Sequence, residues 1–584
     1  MSAAPEGTAG GGRSALLRAL LAPYRRRVIA AMTATVLSTA AKLAPPYLAG
    51  LVVDDVVETG STRTLVLIAI ALVVSLAVAW LAQTAETWLV GDFGQRALMD
   101  LRFRLVEHLQ TLPMRYYDRA SAGRVMSRVT NDVEALNNVV TGGLNQLVSN
   151  ALLVVGTVVV LLVLDWRMAL VAAFVFPLVV IVAASFQRVA GPAWRKASDA
   201  VAQVTTYMAE GLSGRAVVRA FGQEDRHLAG FERHNAETQM RIMRSNALWR
   251  TILPLVELLI AVTIAAVIVY GAREAVGGAV EVGLIVSFTA YLRQALAPLP
   301  QLTVLVGNFQ QAATALEKLD EILAEAPDPG QLPGRRPAPD LRGELTFEHV
   351  LFAYEDERWI IHDVDVNIEA GQTVAFIGHS GSGKSTLVKL AVGFYDPQRG
   401  CVRYDGIDLA QLDLASVRRQ VALVAQEPFL FAGSVAHNIA WARPGASIDE
   451  VRAAAEAVDA LEVFERLPNG LRTEVGERGE RLSGGQRQLV SLARATITDP
   501  RILVLAEATS SIDAATEARV QRGLARLLAG RTSLVIAHRL STIRGADHVV
   551  VLEAGRVVEQ GSPAELRAAG GQYARLEAES ERLA

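Results

Sequence analysis

Six stretches of the chain are apolar over about 20 residues, the length a helix needs to cross a bilayer. They are residues 28–53, 65–89, 139–164, 168–186, 252–270 and 283–306, all before residue 310. An even number of spans returns the chain to its starting side. The third and fourth are separated only by Asp165, Trp166 and Arg167, which predicts a tight hairpin with Trp166 at the membrane surface. Of the 584 residues 51% are apolar and 20% charged, and mean hydropathy is +0.29. Such a mixture implies a very apolar part joined to an ordinary polar part, and the length allows two to four domains.

Basic residues near spans stay on the cytoplasmic side. Arg25, Arg26 and Arg27 precede the first span, and the connections after the second and fourth spans are rich in arginine. The opposite loops carry one arginine each: Arg63, Arg167 and Arg273. The N-terminus, both long connections and everything after the sixth span are therefore expected in the cytoplasm of a multi-pass protein of the plasma or inner membrane. Within residues 91–135 and 190–246 charged and apolar residues recur at helical spacing, so the spanning helices should continue well beyond the bilayer.

Residues 1–13 are Gly- and Ala-rich with no apolar core, which predicts a disordered tail rather than a cleaved signal peptide. Residues 14–325 make the membrane domain, and the Pro- and Gly-rich run that follows reads as a linker over residues 326–342. From residue 343 to 584 short β-branched strands alternate with helices, the sign of an α/β domain. A net charge of -3 gives no electrostatic footprint for nucleic acid, so no nucleic-acid partner is expected. The single cysteine, Cys401, reads as a packed apolar side chain.

The polar half carries the pattern G-x-x-x-x-G-K-[ST] in Gly378, His379, Ser380, Gly381, Ser382, Gly383, Lys384 and Ser385, followed by Thr386. It lies between an apolar run, 373–377, and a helical stretch, the context that identifies a P-loop. Glycines let backbone N–H groups wrap phosphates, Lys384 reaches the terminal phosphates, and the Ser385 hydroxyl coordinates Mg²⁺. The implied ligands are ATP and Mg²⁺.

About a hundred residues on stand Leu482, Ser483, Gly484, Gly485 and Gln486, and here the chain resembles the ATP-binding cassette (ABC) transporter family over essentially its whole length. The resemblance implies a multidomain fold: an all-α six-helix transmembrane domain of the exporter type (type I exporter, or type IV ABC fold), then an α/β P-loop NTPase cassette. It further implies that Tyr354 stacks on adenine, that Gln426 senses Mg²⁺, that Glu507 polarises the attacking water, that Asp513 is the D-loop aspartate and that His538 contacts the γ-phosphate. The 482–486 signature would bind ATP held by a second cassette. One chain carries one cassette, so a second half-transporter, identical or different, is the implied partner. Residues 473–479 resemble a segment that touches coupling helices, and those helices are expected near residues 116–124 and 209–219.

One position departs from the family. Its strand-end Asp-Glu is here Ala506-Glu507, and alanine holds neither a cation nor its waters. Mg²⁺ would rest on Ser385, Gln426 and ATP itself. Three readings follow: half of a heterodimer with a weak site of its own, a variant engineered to trap ATP, or a loss offset by Glu507 and the phosphates. In the spans, Lys42, Glu257 and Arg293 either pair with one another or line the cavity for a transported molecule. The residues leave that molecule unidentified. The expected activity is ATP-driven export or flipping of a small or amphipathic compound; an importer of the same architecture, for example for siderophores, and an ATP-gated channel or regulatory subunit are the alternatives.

Overall fold

The computed structural model describes residues 20–56, 60–278, 280–331, 334–355, 358–506, 514–537 and 543–583. The chain divides into two compact units. One comprises 1–107 and 123–324; the other comprises 108–122 and 325–584.

The described residues of the first unit form helices joined by short turns. Helix α1 (Arg25–Lys42) stops at Leu43, and α2 (Ala44–Leu51) restarts with prolines in its first turn. Then come α3 (Thr62–Thr111), α4 (Met114–Arg119, part of the second unit), α5 (Ala122–Leu164), α6 (Trp166–Ser213), α7 (Arg215–Ala220), α8 (Glu224–Val276), α9 (Val282–Leu296) and α10 (Leu299–Ala324). At 50, 48 and 53 residues, α3, α6 and α8 are each about 75 Å long. That is more than twice the hydrocarbon thickness, so they extend beyond their apolar segments as the helical spacing predicts.

The hairpin between the third and fourth apolar stretches is tighter than three residues. Asp165 alone separates α5 from α6 and caps α6 by accepting from the amides of Arg167 (2.7 Å) and Met168 (2.9 Å). The sixth apolar stretch is not one unbroken helix. It divides into α9 and α10 around Ala297 and Pro298, where proline removes a donor from the helical ladder. By length and composition, four helices among the described residues suffice to cross a membrane: Ala22–Asp54, Thr62–Thr111, Ala122–Leu164 and Pro254–Val276.

The break in α1 is repaired from α9. Pro46 has no N–H to give the Lys42 carbonyl, and Gln294 Nε2 donates to it instead at 3.0 Å. Tyr291 Oη donates to the neighbouring Leu43 carbonyl at 2.5 Å. Beyond the break, α2 and α9 approach closely because Gly50 faces Gly283: a Cβ on Gly50 would lie 2.5 Å from the Gly283 carbonyl oxygen. Phe288, Tyr291 and Leu292 bury themselves there with Leu161, Met168 and Val267.

In the second unit, six strands form a sheet in the order β10-β9-β3-β8-β7-β6. Strands β3 (Thr373–Ile377), β6 (Val421–Val424), β7 (Ile502–Ala506), β8 (Thr532–Ile536) and β9 (His548–Glu553) run parallel, and β10 (Arg556–Gly561) is antiparallel at the edge. The parallel strands read as nearly continuous apolar runs because both faces are covered. A second, antiparallel sheet has the order β2-β1-β4-β5, from β1 (Leu345–Ala353), β2 (Trp359–Ile368), β4 (Arg399–Tyr404) and β5 (Ile407–Asp408). Between the sheets lies α11 (Lys384–Ala391), whose Leu387 and Leu390 share a core with Phe347, Val366, Phe376, Ile502 and Val504. The opposite face of the parallel sheet packs on α12 (Gly484–Thr496) through Leu489, Leu492 and Leu503.

The run read as a linker is hydrogen-bonded to this unit. Arg336 exchanges backbone bonds with Gln411 and Asp413, and the Ala338 and Leu341 amides donate to Ser416 Oγ and Gln420 Oε1.

Candidate functional site

Strands that run parallel bring their carboxyl ends to one edge. Ile377 leads into the loop 378–383, Ala506 ends β7, Ile536 pairs with both Phe376 and Ala506, and Val424 pairs with Leu505 two residues before Gln426. Four sequence segments far apart in the chain thus meet along one line, where open α/β sheets take their ligands.

The loop's shape follows from its glycines. Gly378, Gly381 and Gly383 have φ of 144°, 83° and 104°, and a Cβ on Gly378 would lie 2.1 Å from the Leu552 carbonyl oxygen. Lys384 is buried and curls over the loop, donating to the carbonyls of Gly378 (2.7 Å) and His379 (2.9 Å) and to Ser382 Oγ (3.4 Å). Helix α11 starts at Lys384 without a side-chain cap, so first-turn amides face the loop, a ready-made anion site. The exposed Ser385 hydroxyl sits beside it. These features fit a nucleotide's phosphates.

The metal side is poorer. Ser385 and the exposed Gln426 offer oxygens. On β7, side chains alternate between faces: Ile502, Val504 and Ala506 face the core shared with α11, whereas Leu503 and Leu505 face the other way. An oxygen-bearing side chain at 506 would point toward the P-loop helix; the methyl of Ala506 brings none.

Tyr354 is brought to the same region. Its hydroxyl and that of Thr386 share a hydrogen bond of 3.2 Å, and Lys389 Nζ lies 5.1 Å from its ring centre. Its carbonyl accepts from Arg115 Nη2 at 2.9 Å. Arg115 belongs to α4, which overlaps the segment 116–124 expected to hold a coupling helix but begins two residues before it. Asp118 of the same helix accepts from Tyr395 Oη and lies 3.7 Å from Lys389 Nζ. Burial and that hydrogen bond push the Tyr395 hydroxyl well above its ordinary pKa. The other expected coupling segment, 209–219, contains the turn between α6 and α7 at Gly214.

The signature opens α12. Ser483 and Gln486 form a reciprocal capping box, Gln486 N donating to Ser483 Oγ (3.2 Å) and Ser483 N to Gln486 Oε1 (2.9 Å). Leu482 and Gly485 are buried, Gly484 is half-buried and Ser483 is exposed. Further along α12, Arg494 donates to the carbonyls of Phe429 and Asn438, tying the signature helix to the loop after Gln426. Burial holds the Arg494 pKa below the usual guanidinium value. In the segment before the signature, Val435 N donates to the Thr473 carbonyl and Val475 N to that of Gly433. Glu507, Asp513 and His538 lie outside the described residues.

Of the three charged residues singled out in the spans, Lys42 is half-buried while Glu257 and Arg293 are exposed, and among the described residues no ion pair joins them. Sequence reading missed Glu86. It is buried on α3 and accepts from Ser38 Oγ of α1 (3.1 Å) and Asn145 Nδ2 of α5, while Thr35 Oγ1 donates to Asn145 Oδ1 at 2.9 Å. The available signal was an acidic residue inside the second apolar stretch.

These features define a helical membrane unit fused to a P-loop ATPase. Residues 28–299 match the family model described as the ABC transporter transmembrane region, and residues 361–510 match the one described as ABC transporter. YknV of Bacillus subtilis, an uncharacterized ABC transporter ATP-binding protein, is 37% identical over 95% of this chain and 92% of its own length. The ATP-dependent lipid A-core flippase of Syntrophus aciditrophicus is 34% identical, with the same two shares. A multidrug efflux ATP-binding/permease protein of Mycobacterium bovis is 35% identical over 97% of this chain and 47% of its own length. A solved bacterial Atm1-family ABC exporter with ATP bound superposes with a TM-score of 0.81 at 27% identity, covering 96% of this chain and 98% of that one. The chain belongs to the ATP-binding cassette transporter family. It is an exporter-type half-transporter, a membrane translocase that couples ATP hydrolysis to transport.

Proposed function

We propose that this half-transporter exports or flips an amphipathic molecule as one member of a heterodimer, and that its own ATP site hydrolyses slowly. The observation that carries the second part is Ala506 on the P-loop face of β7, where an oxygen ligand would otherwise help hold Mg²⁺. Lys384, Ser385, Gln426 and Tyr354 bind ATP and Mg²⁺, Glu507 and His538 act on the terminal phosphate, Asp513 serves the D-loop, and the signature 482–486 completes the partner's site. An intact signature beside a weakened metal side is what a heterodimer would use: this chain supports hydrolysis at the other site more than at its own. The cassette and N-terminus are cytoplasmic in this reading, which the arginine distribution supports. An amphipathic cargo accords with relatives named as a lipid A-core flippase and a multidrug efflux protein.

The test is the Mg²⁺-dependent ATPase rate of the chain purified alone, with and without Ala506→Asp. The aspartate should raise kcat about tenfold. Equal rates in both forms would sink the weak-site reading, and full activity of the chain alone would sink the need for a different partner.

A further inference from the structure

The first unit carries a groove of about 1750 Å³ between residues 23–27 and one face of α3. Its walls change character along their length. Trp80 and Trp88 are 67% and 72% exposed, and beyond them come Asp92, Arg96 and Asp100, facing Arg25, Arg26 and Arg27. Asp92 is shared by Arg27 and Arg96, each at 2.9 Å, and Asp100 accepts from Tyr24 Oη at 2.7 Å. Arg25 and Arg26 are exposed and make no ion pair among the described residues. Four guanidinium groups against two carboxylates leave the groove with a surplus of two positive charges.

Depth gives the groove its meaning. If the second apolar stretch enters the bilayer at Leu65, about 20 residues bring it to the opposite edge near residue 85. At 1.5 Å per residue, Trp80 then lies about 7 Å inside the hydrocarbon and Trp88 about 5 Å outside it. The aromatic wall therefore straddles the interface, and the unpaired arginines sit at headgroup level. We propose that this groove binds an anionic glycerophospholipid of the cytoplasmic leaflet, its phosphate on Arg25 and Arg26 and its acyl chains along Trp80 and Trp88. A zwitterionic lipid brings its own cation, which opposes the attraction of its phosphate to the arginines, and a second copy of this chain would have to bring carboxylates to both arginines. The proposal rests on the cytoplasmic placement of residues 23–27.

The full-length transporter, in nanodiscs of phosphatidylcholine and phosphatidylglycerol in equal amounts, is released into a mass spectrometer that preserves bound lipid. Retained phosphatidylglycerol should exceed phosphatidylcholine about tenfold, and Arg25→Gln with Arg26→Gln should bring the ratio near one. Trp88→Ala should lower retention of both lipids alike. An unchanged preference in the double variant overturns the proposal. So does a benzophenone side chain at position 88 that crosslinks to a second protein chain instead of to lipid. Arg26→Cys in a Cys401→Ser background, probed with an impermeant maleimide, separates the premises. Labelling from outside the cell overturns the cytoplasmic placement. Protection from outside, combined with no lipid preference, overturns the lipid site alone.

Discussion

The P-loop of the cassette and the cluster around Glu86 in the membrane unit both hold polar side chains away from water, but they are assembled in opposite ways. Lys384 finds its acceptors five and six residues back in its own loop, with Ser382 adding a third. Glu86 finds its donors 48 and 59 residues away, on two other helices. A site closed within one loop depends on backbone conformation, so its glycines and lysine must occur in a fixed spelling. A site closed by packing depends on which helix faces meet, and any residue able to donate will serve. The first therefore tolerates few substitutions, while the second tolerates exchanges that keep a hydrogen bond.

Lys384→Ala is the largest break in this comparison. It removes the cation proposed to meet the terminal phosphates, and kcat for ATP hydrolysis should fall about 100-fold or more, with the thermal transition of the transporter little changed. A fall of only a few-fold would mean that the loop's amides alone carry the charge.

Glu86→Ala should act on stability. It orphans the Asn145 amide, at about 1–3 kcal/mol for a donor left unsatisfied in the low-dielectric interior, while the Ser38 hydroxyl keeps the Thr35 carbonyl as an acceptor at 3.1 Å. Glu86→Gln keeps an acceptor for that amide and should recover most of the loss. Thermal unfolding in detergent, with all three forms compared, reads this directly. Equal melting of the alanine and glutamine variants would show that shape, rather than hydrogen bonding, holds α1, α3 and α5 together.

What was legible in the sequence divides along the same line. The P-loop and signature were spelt contiguously, and their glycine conformations and capping box are the local structures those spellings favour. The apolar stretches announced the membrane unit by composition. Composition says nothing of side-chain direction, so it does not single out Glu86, and it leaves Lys42, Glu257 and Arg293 either as partners of one another or as lining of a cavity. The break of the sixth stretch was written in Pro298 and Pro300, but an apolar count does not register a missing N–H. Nor did the Pro- and Gly-rich composition of residues 326–342 reveal backbone bonds to Gln411 and Asp413, which depend on a surface built from distant segments.

Arg115 offers a smaller test, because its bond to the Tyr354 carbonyl joins a loop-built site to a helix outside it. Losing one such bond costs about 1 kcal/mol, so Arg115→Ala should raise the KM for ATP about fivefold and leave kcat nearly unchanged. An effect on kcat alone would place Arg115 in coupling rather than in positioning Tyr354.

The smallest effect concerns a second buried carboxylate, held in a third way. Glu577, on the helix Gln572–Leu583, accepts from Arg567 Nε at 2.8 Å and from Arg544 Nε at 3.1 Å. Its hydrogen bond from Arg567, reinforced by that from Arg544, holds its carboxyl below the usual carboxylate range. A depressed folded-state pKa contributes stability that is present above the unfolded value of about 4.3 and lost as pH falls through the folded value. Glu577→Gln should therefore lower the melting temperature at pH 7 and narrow the gap between variant and parent as the medium is acidified below about pH 4.3. Glu86 has neutral donors where Glu577 has cations, so the two carboxylates separate charge pairing from hydrogen bonding. A gap at Glu577 that stays constant across the acid limb would mean that its two arginines contribute shape and hydrogen bonds, as Ser38 and Asn145 do for Glu86, and no charge at all.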